Sequence, residues 1–236
     1  MSIDPAPRHV NAFNQPIGEP VGDIAALSPG PVELRGRTCL VSPLTLDDAA
    51  GLLERLHEGA GDEQWTYMSY GPCADAAAMA EVVGRLVADP GVVPFAVRRF
   101  DGRPIGMASL LRINAAGGTI EVGHVMYGAG ARRAAPATEA MYLLARYVFE
   151  DLGFRRYEWK CDALNAASRA AALRLGFSFE GVWRQALAYK GRNRDTAWYA
   201  MTDDDWRSVR PAYDAWLDGL DEQGRQAAPL ACQSRP

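Results

Sequence analysis

The 236-residue chain is predicted to fold as a single α/β domain, with a mixed, mostly antiparallel sheet flanked by helices. Two observations predict this class. Three consecutive short apolar segments, separated by turn sequences, indicate an antiparallel meander in the middle of the chain. A helix of clear 3.6-residue periodicity then separates the meander from a further strand, so helices must cover the sheet. A composition of 48% hydrophobic and 23% charged residues is that of an ordinary globular domain.

Composition also bears on the class of function. A formal net charge of −4 gives no reason to expect a nucleic-acid partner, since such proteins usually present a basic surface to phosphates. The four cysteines are scattered singly, and no histidines stand at metal-ligand spacing, so we expect no metal site. No apolar run has the length of a signal peptide or a membrane span. We expect a reduced, cytoplasmic protein without a membrane partner.

The two ends of the chain differ from its middle. Residues 1–31 contain six prolines among glycines and polar residues, which predicts an extended arm draped over the domain rather than a regular element. The domain itself is predicted to span 32–222. The tail, 223–236, is predicted to be disordered.

The first half of the domain reads as a strand followed by two helices. The strand is predicted from Val32 to Ser42. A helix follows from Leu46 to His57, with Thr45 as its N-cap and acidic residues in its first turn. The second helix spans Ala76 to Ala88, between a Gly-Pro and a Pro-Gly pair.

The meander consists of three predicted strands, joined by turns rich in glycine and asparagine. These strands are Phe95–Arg99, Ile105–Ile113 and Thr119–Met126.

The periodic helix comes next. Its apolar positions recur at the spacing of one helical face from Ala137 to Phe149. A strand at Arg156–Asp162 follows it. The remaining predicted elements are a helix from the N-cap Asn165 to Gly176, a hairpin of Gly181–Lys190 with Ala197–Met201, and a last helix at Asp205–Leu220.

A loop of small residues connects the meander to the periodic helix. It runs from Gly128 to Ala137 and contains the adjacent Arg132 and Arg133. Free N–H groups and the positive end of the helix dipole favour an anion at such a place, and arginines add contacts to phosphate oxygens. A pyrophosphate would fit. The alternative is a flexible connector with a proline in the first helical turn.

The helix after the predicted strand Arg156–Asp162 is delimited by Asn165-Ala-Ala-Ser168 and Leu175-Gly-Phe177. This segment resembles the one that closes the cofactor site in GNAT-type N-acetyltransferases, particularly the RimJ/RimL branch. The loop resembles the Q/R-x-x-G-x-G/A motif when Arg132 takes its first position, although Ala135 replaces a glycine and Pro136 has no N–H donor. Thr138-Glu139-Ala140 is similar to the T-E-A that opens this helix in that branch.

The resemblance implies a GNAT domain with splayed central strands that transfers an acetyl, or alternatively a succinyl, group from CoA to a primary amine by direct attack. The amine could belong to a protein N-terminus, a lysine or a small molecule, and a homodimer is left open. The implied CoA contacts are Val125, Met126, Gly128, Arg132, Arg133, Ala134, Ala135, Ala137, Thr138, Asn165 and Ser168.

Ser168 is the implied acid for the thiolate. Many GNAT relatives use a tyrosine three residues before the Leu-Gly-Phe, and this chain has Ala172 there. The RimL-like branch instead uses the serine of N-x-x-S. The alternative roles are structural, with Ser168 bonding the backbone and Asn165 acting only as a cap.

The general base has two candidates on the third meander strand, Glu121 and His124. RimL relatives carry a glutamate where this chain has Leu187, which cannot move a proton. Strict alternation places Glu121 and His124 on opposite faces, so only a bulge could bring both to one site. A histidine among apolar residues can equally be a core residue, and the glutamate an ion-pair partner.

The acceptor cleft is predicted to be walled by Trp65, Tyr67 and Tyr70, with ordinary core packing as the alternative. Arg192 could frame an acidic acceptor or belong to a solvated hairpin. The main rival to the enzyme is a catalytically idle GNAT-like module that binds CoA or another protein. This rival is suggested by the altered loop, the missing tyrosine and Leu187.

Overall fold

The computed structural model describes residues 9–230 and residue 232. Parts of the predicted arm (1–8) and tail (231 and 233–236) lie outside the described residues. The strands are β1 (His9–Val10), β2 (Pro16–Ile17), β3 (Leu34–Arg35), β4 (Leu40–Pro43), β5 (Val92–Arg98), β6 (Pro104–Asn114), β7 (Thr119–Tyr127), β8 (Arg156–Asp162), β9 (Ser178–Tyr189) and β10 (Arg192–Thr202). The helices are α1 (Ala49–His57), α2 (Ala76–Ala88), α3 (Ala135–Arg146), α4 (Ala166–Arg174) and α5 (Asp203–Asp218).

Eight strands form one sheet in the order β3-β4-β5-β6-β7-β8-β10-β9, while β1 and β2 pair separately. Every neighbouring pair in the sheet is antiparallel except β7 and β8, which run parallel because α3 connects them. Helices cover both faces. One core lies beneath α3, α4 and α5, and the other beneath α1 and α2. The predicted mixed sheet flanked by helices is therefore confirmed.

The predicted first strand, Val32–Ser42, is wrong as one continuous element. The chain turns after β3 and returns as β4, because a buried carboxylate holds the turn from the other side. Glu139 of α3, 1% exposed, accepts hydrogen bonds from the amides of Arg37 (2.6 Å) and Thr38 (2.7 Å) and from the Thr38 hydroxyl (2.5 Å). Glu139 thus fastens the edge of the sheet to α3.

The predicted helix from Leu46 begins with one 3-10 turn, and regular α-helix starts only at Ala49. Thr45 caps this turn as expected, in a reciprocal capping box with Asp48. The last helix begins at Asp203, two residues earlier than predicted, because Thr202 and Asp205 form a second capping box.

The described part of the arm drapes over the domain, where the Leu27 amide donates to Leu152 O at 2.8 Å. It includes one short regular element that was not predicted, the β1–β2 pair. The tail differs from the expected disorder over 223–230. Leu230 is 4% exposed, and the Trp216 indole N–H donates to Ala228 O at 3.0 Å, so apolar burial anchors this segment on α5. No helix among the described residues is long and apolar enough to cross a membrane.

The Glu139 contact can be tested by replacing Glu139 with alanine. We expect the free energy of unfolding to fall by about 3 kcal/mol, because buried donors at Arg37 and Thr38 lose their acceptor. Urea denaturation measures this change. Glu33→Ala, an exposed carboxylate near the same edge, is the control. Equal stability of the two variants would contradict the role of Glu139.

Candidate functional site

A cleft opens between the two central strands. β7 and β8 pair in parallel only where Thr119–Val122 lies beside Arg156–Trp159. Beyond that point β7 remains paired with β6 as far as Tyr127, and β8 remains paired with β10 as far as Asp162, but the two are not paired with each other in the described chain. Backbone donors and acceptors on the inner edges are therefore left for a ligand.

A β-bulge in β7 lies at the start of this cleft. Met107 pairs with Met126 and Ser109 pairs with Gly123, so Ala108 alone opposes two residues of β7. His124 takes up the extra residue with a left-handed backbone, φ +51°. After the bulge, Met126 packs into the core beneath α1 and α2, whereas strict alternation would have kept it with Val122 in the opposite core.

The bulge brings Glu121 and His124 to the same face of the sheet. His124 stacks on Tyr70, with ring centroids 5.7 Å apart, and Tyr70 packs against the core beneath α1 and α2. Arg112, which bonds Glu121 at 2.7 Å, is also close enough to His124 to influence its pKa. The two candidates therefore lie on one face, and their sharing of one catalytic site stays a prediction.

The surroundings of His124 lower its pKa. Burial lowers the pKa of His124 below its ordinary value of 6.5, and the positive charge of Arg112 lowers this pKa further, while Asp89 opposes the shift. A neutral imidazole at neutral pH can accept a proton.

Glu121 is tied into an ion-pair network. It is 3% exposed and contacts both Arg112 and the Lys160 Nζ, the latter at 2.8 Å. Lys160 Nζ also pairs with Glu158 at 2.7 Å, and Arg156 Nε donates to Glu158 at 2.7 Å. The geometry of Glu121 is that of an ion-pair partner, because its carboxylate already has two cationic partners.

Ser168 lies in the first turn of α4. Its Oγ accepts a hydrogen bond from the Trp159 indole N–H at 2.9 Å. Its amide donates to Asn165 Oδ1 at 3.0 Å, so Asn165 is the N-cap of α4, as its sequence position predicts. The indole has no acceptor capacity, so the hydroxyl proton of Ser168 remains available to another partner. Cys161, a free buried thiol on β8, lies within hydrogen-bonding reach of this hydroxyl.

The loop before α3 presents donors to the cleft. Arg132 is exposed, and its guanidinium is positioned by Tyr127 O at 3.0 Å and Gln64 Oε1 at 3.1 Å. Arg133 adopts a left-handed conformation, φ +62°, and is exposed. Ala135 and Ala137 lie in the first turn of α3, whose amides have no acceptor within the helix. The amides of Arg132 and Ala134 already donate within the loop, to Gly128 O and Ala131 O, and the binding of a pyrophosphate here stays a prediction.

Three of the predicted site residues are used structurally instead. The Trp65 ring is 1% exposed in the core beneath α1 and α2, so it does not line the cleft. Gly128 is buried against Arg55, its amide donates to Ile105 O, and a side chain there would strike Arg55 O. The Thr138 amide donates to Ala134 O, and its hydroxyl accepts from Arg174 Nη1 at 3.2 Å. Sequence placed these residues near the site, but their packing turns them inward.

The other predicted acceptor-side residues lie in the segment between α1 and α2 and in the β9–β10 hairpin. The Tyr67 hydroxyl donates to Leu164 O at 3.1 Å, while the Tyr70 hydroxyl is buried without a partner among the described residues. Arg192 is exposed in the hairpin, as expected for its solvated alternative. Lys190 Nζ, next to the turn, donates to Trp65 O at 2.7 Å and so joins the hairpin to the loop after α1.

Sequence reasoning missed Asp162 and Tyr189. Asp162 is 6% exposed at the end of β8, and it accepts hydrogen bonds from the Leu164 amide at 2.8 Å and the Tyr189 hydroxyl at 2.9 Å. Burial, followed by the hydrogen bond to Asp162, raises the pKa of Tyr189 to about 12. The position of Asp162 directly before the N-x-x-S segment was the available signal. Within residues 9–230 and 232, no group of acidic, His or Cys side chains could hold a metal ion.

A sheet with two parallel strands that separate after a bulge, beside a small-residue loop at a helix N-terminus, is typical of a class of acyl-CoA enzymes. The model of the acetyltransferase (GNAT) domain matches residues 38–178. The chain therefore belongs to the GNAT acetyltransferase family, and it is an N-acetyltransferase enzyme. Enzymes of this family use acetyl-CoA, and their acceptors are amines.

Solved structures agree with this assignment. A GCN5-related N-acetyltransferase from Brucella melitensis is 35% identical, with a TM-score of 0.82 over 88% of this chain and 96% of that one. A probable acetyltransferase of the GNAT family from Chromobacterium violaceum is 36% identical, with a TM-score of 0.72 over 79% and 100%. The microcin C7 self-immunity acetyltransferase MccE, in complex with acetyl-CoA and AMP, shares the fold at 20% identity, with a TM-score of 0.60 over 71% and 93%. No protein with a curated description matches the chain.

The ion-pair network predicts a pH dependence of stability. Burial alone would raise the pKa of Glu158, but hydrogen bonds from Lys160 and Arg156 outweigh it and hold this pKa below the ordinary 4.5. Because the pKa is lower in the folded state, the stabilisation is present above pH 4.5 and is lost as the pH falls through the folded value. Lys160→Met should lower the free energy of unfolding by about 1–3 kcal/mol at pH 7.

The same variant should show a smaller loss of stability between neutral pH and pH 3 than the wild type does. Urea denaturation across this range measures both quantities. Arg207→Met removes an exposed cation with carboxylate partners and is the control. Parallel stability curves for wild type and Lys160→Met would contradict the coupling.

Proposed function

We propose that this chain is a RimJ/RimL-like N-acetyltransferase in which His124 and Ser168 perform the two proton transfers. The observation that carries the proposal is their placement: His124 lies at the bulge of β7, and Ser168 lies on the helix that follows β8, so the cleft runs between them. One group can accept a proton at neutral pH, and the other has a hydroxyl proton to donate.

Acetyl-CoA supplies an activated acyl thioester. The chain supplies the means to hold it. The first-turn amides of α3, with Arg132 and Arg133, would bind the pyrophosphate, and the unpaired inner edge of β7 near Val125 and Met126 would bond the pantetheine and the acyl carbonyl. Asn165, at the N-terminus of α4, would contact the pantetheine.

His124 is the proposed general base. An amine acceptor is protonated near neutral pH, and a proton must leave it before or during attack. His124 is neutral because burial and Arg112 lower its pKa. Glu121 is the weaker candidate, since its carboxylate is neutralised by Arg112 and Lys160.

Ser168 is the proposed acid for the leaving thiolate. The Trp159 indole N–H fixes the serine oxygen by donating to it, which leaves the hydroxyl proton to point elsewhere. Ala172, at the position of the tyrosine used by many relatives, is 0% exposed and has no proton to give. Trp159 is therefore a positioning residue for the acid.

The acceptor is a primary amine of a protein N-terminus, a lysine or a small molecule. The walls offered by the chain are Tyr67, Tyr70 and the hairpin with Arg192. Membership of an enzyme family and two suitably placed proton-transfer groups disfavour the idle module. The direct test of function is thiol release from acetyl-CoA with a panel of amines. Binding of acetyl-CoA without turnover of any amine would overturn the proposal.

The acid role predicts that Ser168→Ala lowers kcat by about 100-fold. The KM for acetyl-CoA should change by no more than about twofold, because the acid acts on the transition state. Steady-state kinetics with the best acceptor of the panel measures both. The Asn165 cap is retained in this variant, since it bonds the backbone amide. Ser208→Ala, an exposed serine of α5, is the control. Unchanged turnover in Ser168→Ala would reject the acid role.

The base role predicts an acid limb in the pH profile of kcat/KM below the ordinary histidine pKa of 6.5, because the pKa of His124 is lowered. Activity should rise with pH through this limb as the imidazole loses its proton. His124→Gln should remove the limb and lower kcat by about 100-fold. The exposed His57→Gln is the control. Persistence of the same limb in His124→Gln would assign the base to another group.

A further inference from the structure

Two tryptophans with their rings in close contact lie on β9 and β10. The Trp183 and Trp198 ring centroids are 4.0 Å apart, and Trp183 is 59% exposed. Lys160 Nζ lies 3.8 Å from the centroid of the Trp198 ring. Exposure of a large apolar ring to water is unfavourable, and the outer face of the Trp183 ring can bind a ligand.

This pair lies on the same face of the sheet as Glu121. Across β8 and β10, Trp198 is opposite Lys160 and Thr196 is opposite Asp162. Across β10 and β9, Trp183 is opposite Thr196. Cross-strand partners project from the same side of a sheet, so Trp183, Thr196 and Trp198 form one surface with Lys160. Lys160 in turn contacts Glu121 on β7.

The sheet geometry gives a distance between the pair and the reacting centre. Asp162 is three residues beyond Trp159, the partner of Val122, so it is about level with Val125 in the cleft. Trp198 is two strands from β7 and Trp183 is three. With about 4.8 Å between strands, they lie about 10 and 14 Å from β7, to which the splay adds.

The sheet surface at the tryptophan pair has two hydrogen-bond donors without an acceptor. Thr196 is 4% exposed and its hydroxyl has no hydrogen-bond partner among the described residues; the same is true of the buried Trp198 indole N–H. Buried donors without acceptors are costly, and an oxygen acceptor on a ligand would satisfy them. The indole can only donate, so the complementary group is an acceptor such as a carbonyl oxygen.

We propose that Trp183, Trp198 and Thr196 form an acceptor subsite for an aromatic ring about 10–14 Å from the amine that is acetylated, with carbonyl groups between the two. The inference rests on the proposed function and specifies its acceptor class. The ring stacks on the outer face of Trp183, and carbonyl oxygens accept from Thr196 and the Trp198 indole. Trp183 is a specificity-determining residue that takes no part in proton transfer.

The test uses tetrapeptide amides of glycine with one phenylalanine at position 2, 3 or 4. Each has a matched peptide with cyclohexylalanine, which keeps the size and removes the aromatic ring. An extended chain advances about 3.4 Å per residue, so the ring at position 3 or 4 reaches Trp183 and the ring at position 2 does not. Wild-type kcat/KM should be highest for phenylalanine at position 3 or 4.

Trp183→Ala should lower kcat/KM about five- to tenfold for those peptides, mainly through KM, and leave the tetraglycine amide unaffected. Trp183→Phe should retain most of the preference. The control is Phe179→Ala, because Phe179 is also exposed on β9 but packs on Tyr199, on the opposite face of the sheet. Circular dichroism checks that each variant is folded.

Equal loss for phenylalanine, cyclohexylalanine and glycine peptides in Trp183→Ala would overturn the subsite, as would an equal effect of Phe179→Ala. Acetylation of small amines with no turnover of any tetrapeptide would also overturn it, while leaving the proposed function intact. Absence of turnover with every amine would overturn the proposed function itself.

Discussion

The bulge at His124 is the constraint on which the site depends. One extra residue in β7 re-aims the strand at the point where its pairing with β8 ends. The parallel pairing of Thr119–Val122 holds the two strands together on one side of this point, and their antiparallel neighbours hold them apart on the other. A cleft within a rigid sheet results, with a ligand as the natural partner for its inner backbone edges.

Electrostatic pairing then divides the roles of the polar residues around the cleft. Glu121 and Glu158 both pair with Lys160, and each also pairs with an arginine. Cations of the protein therefore compensate the negative charges of both carboxylates. His124 has an aromatic ring against it instead of a carboxylate. The charges of this network are paired with one another, and the imidazole of His124 beside it is left neutral and able to titrate.

Local sequence signals predicted what local forces control. The strand Arg156–Asp162 has the predicted bounds, and the Asn165 cap starts α4 because an N-cap bond spans only three residues. Trp65 and Gly128 lay near the site in sequence order, yet both are turned into packed contacts. For Gly128 this packing could not be predicted, because its neighbour Arg55 belongs to α1, which is far from Gly128 in the chain.

The sequence by itself determined the elements from the meander to α5 and the family resemblance, because periodicity, capping and turn chemistry act between neighbouring residues. Tertiary structure alone decided that Glu121 and His124 share a face, since the bulge arises from the register between β6 and β7. It also decided that the ring of His124 stacks on that of Tyr70. Register and helix packing involve residues far apart in the chain, so no local pattern specifies them.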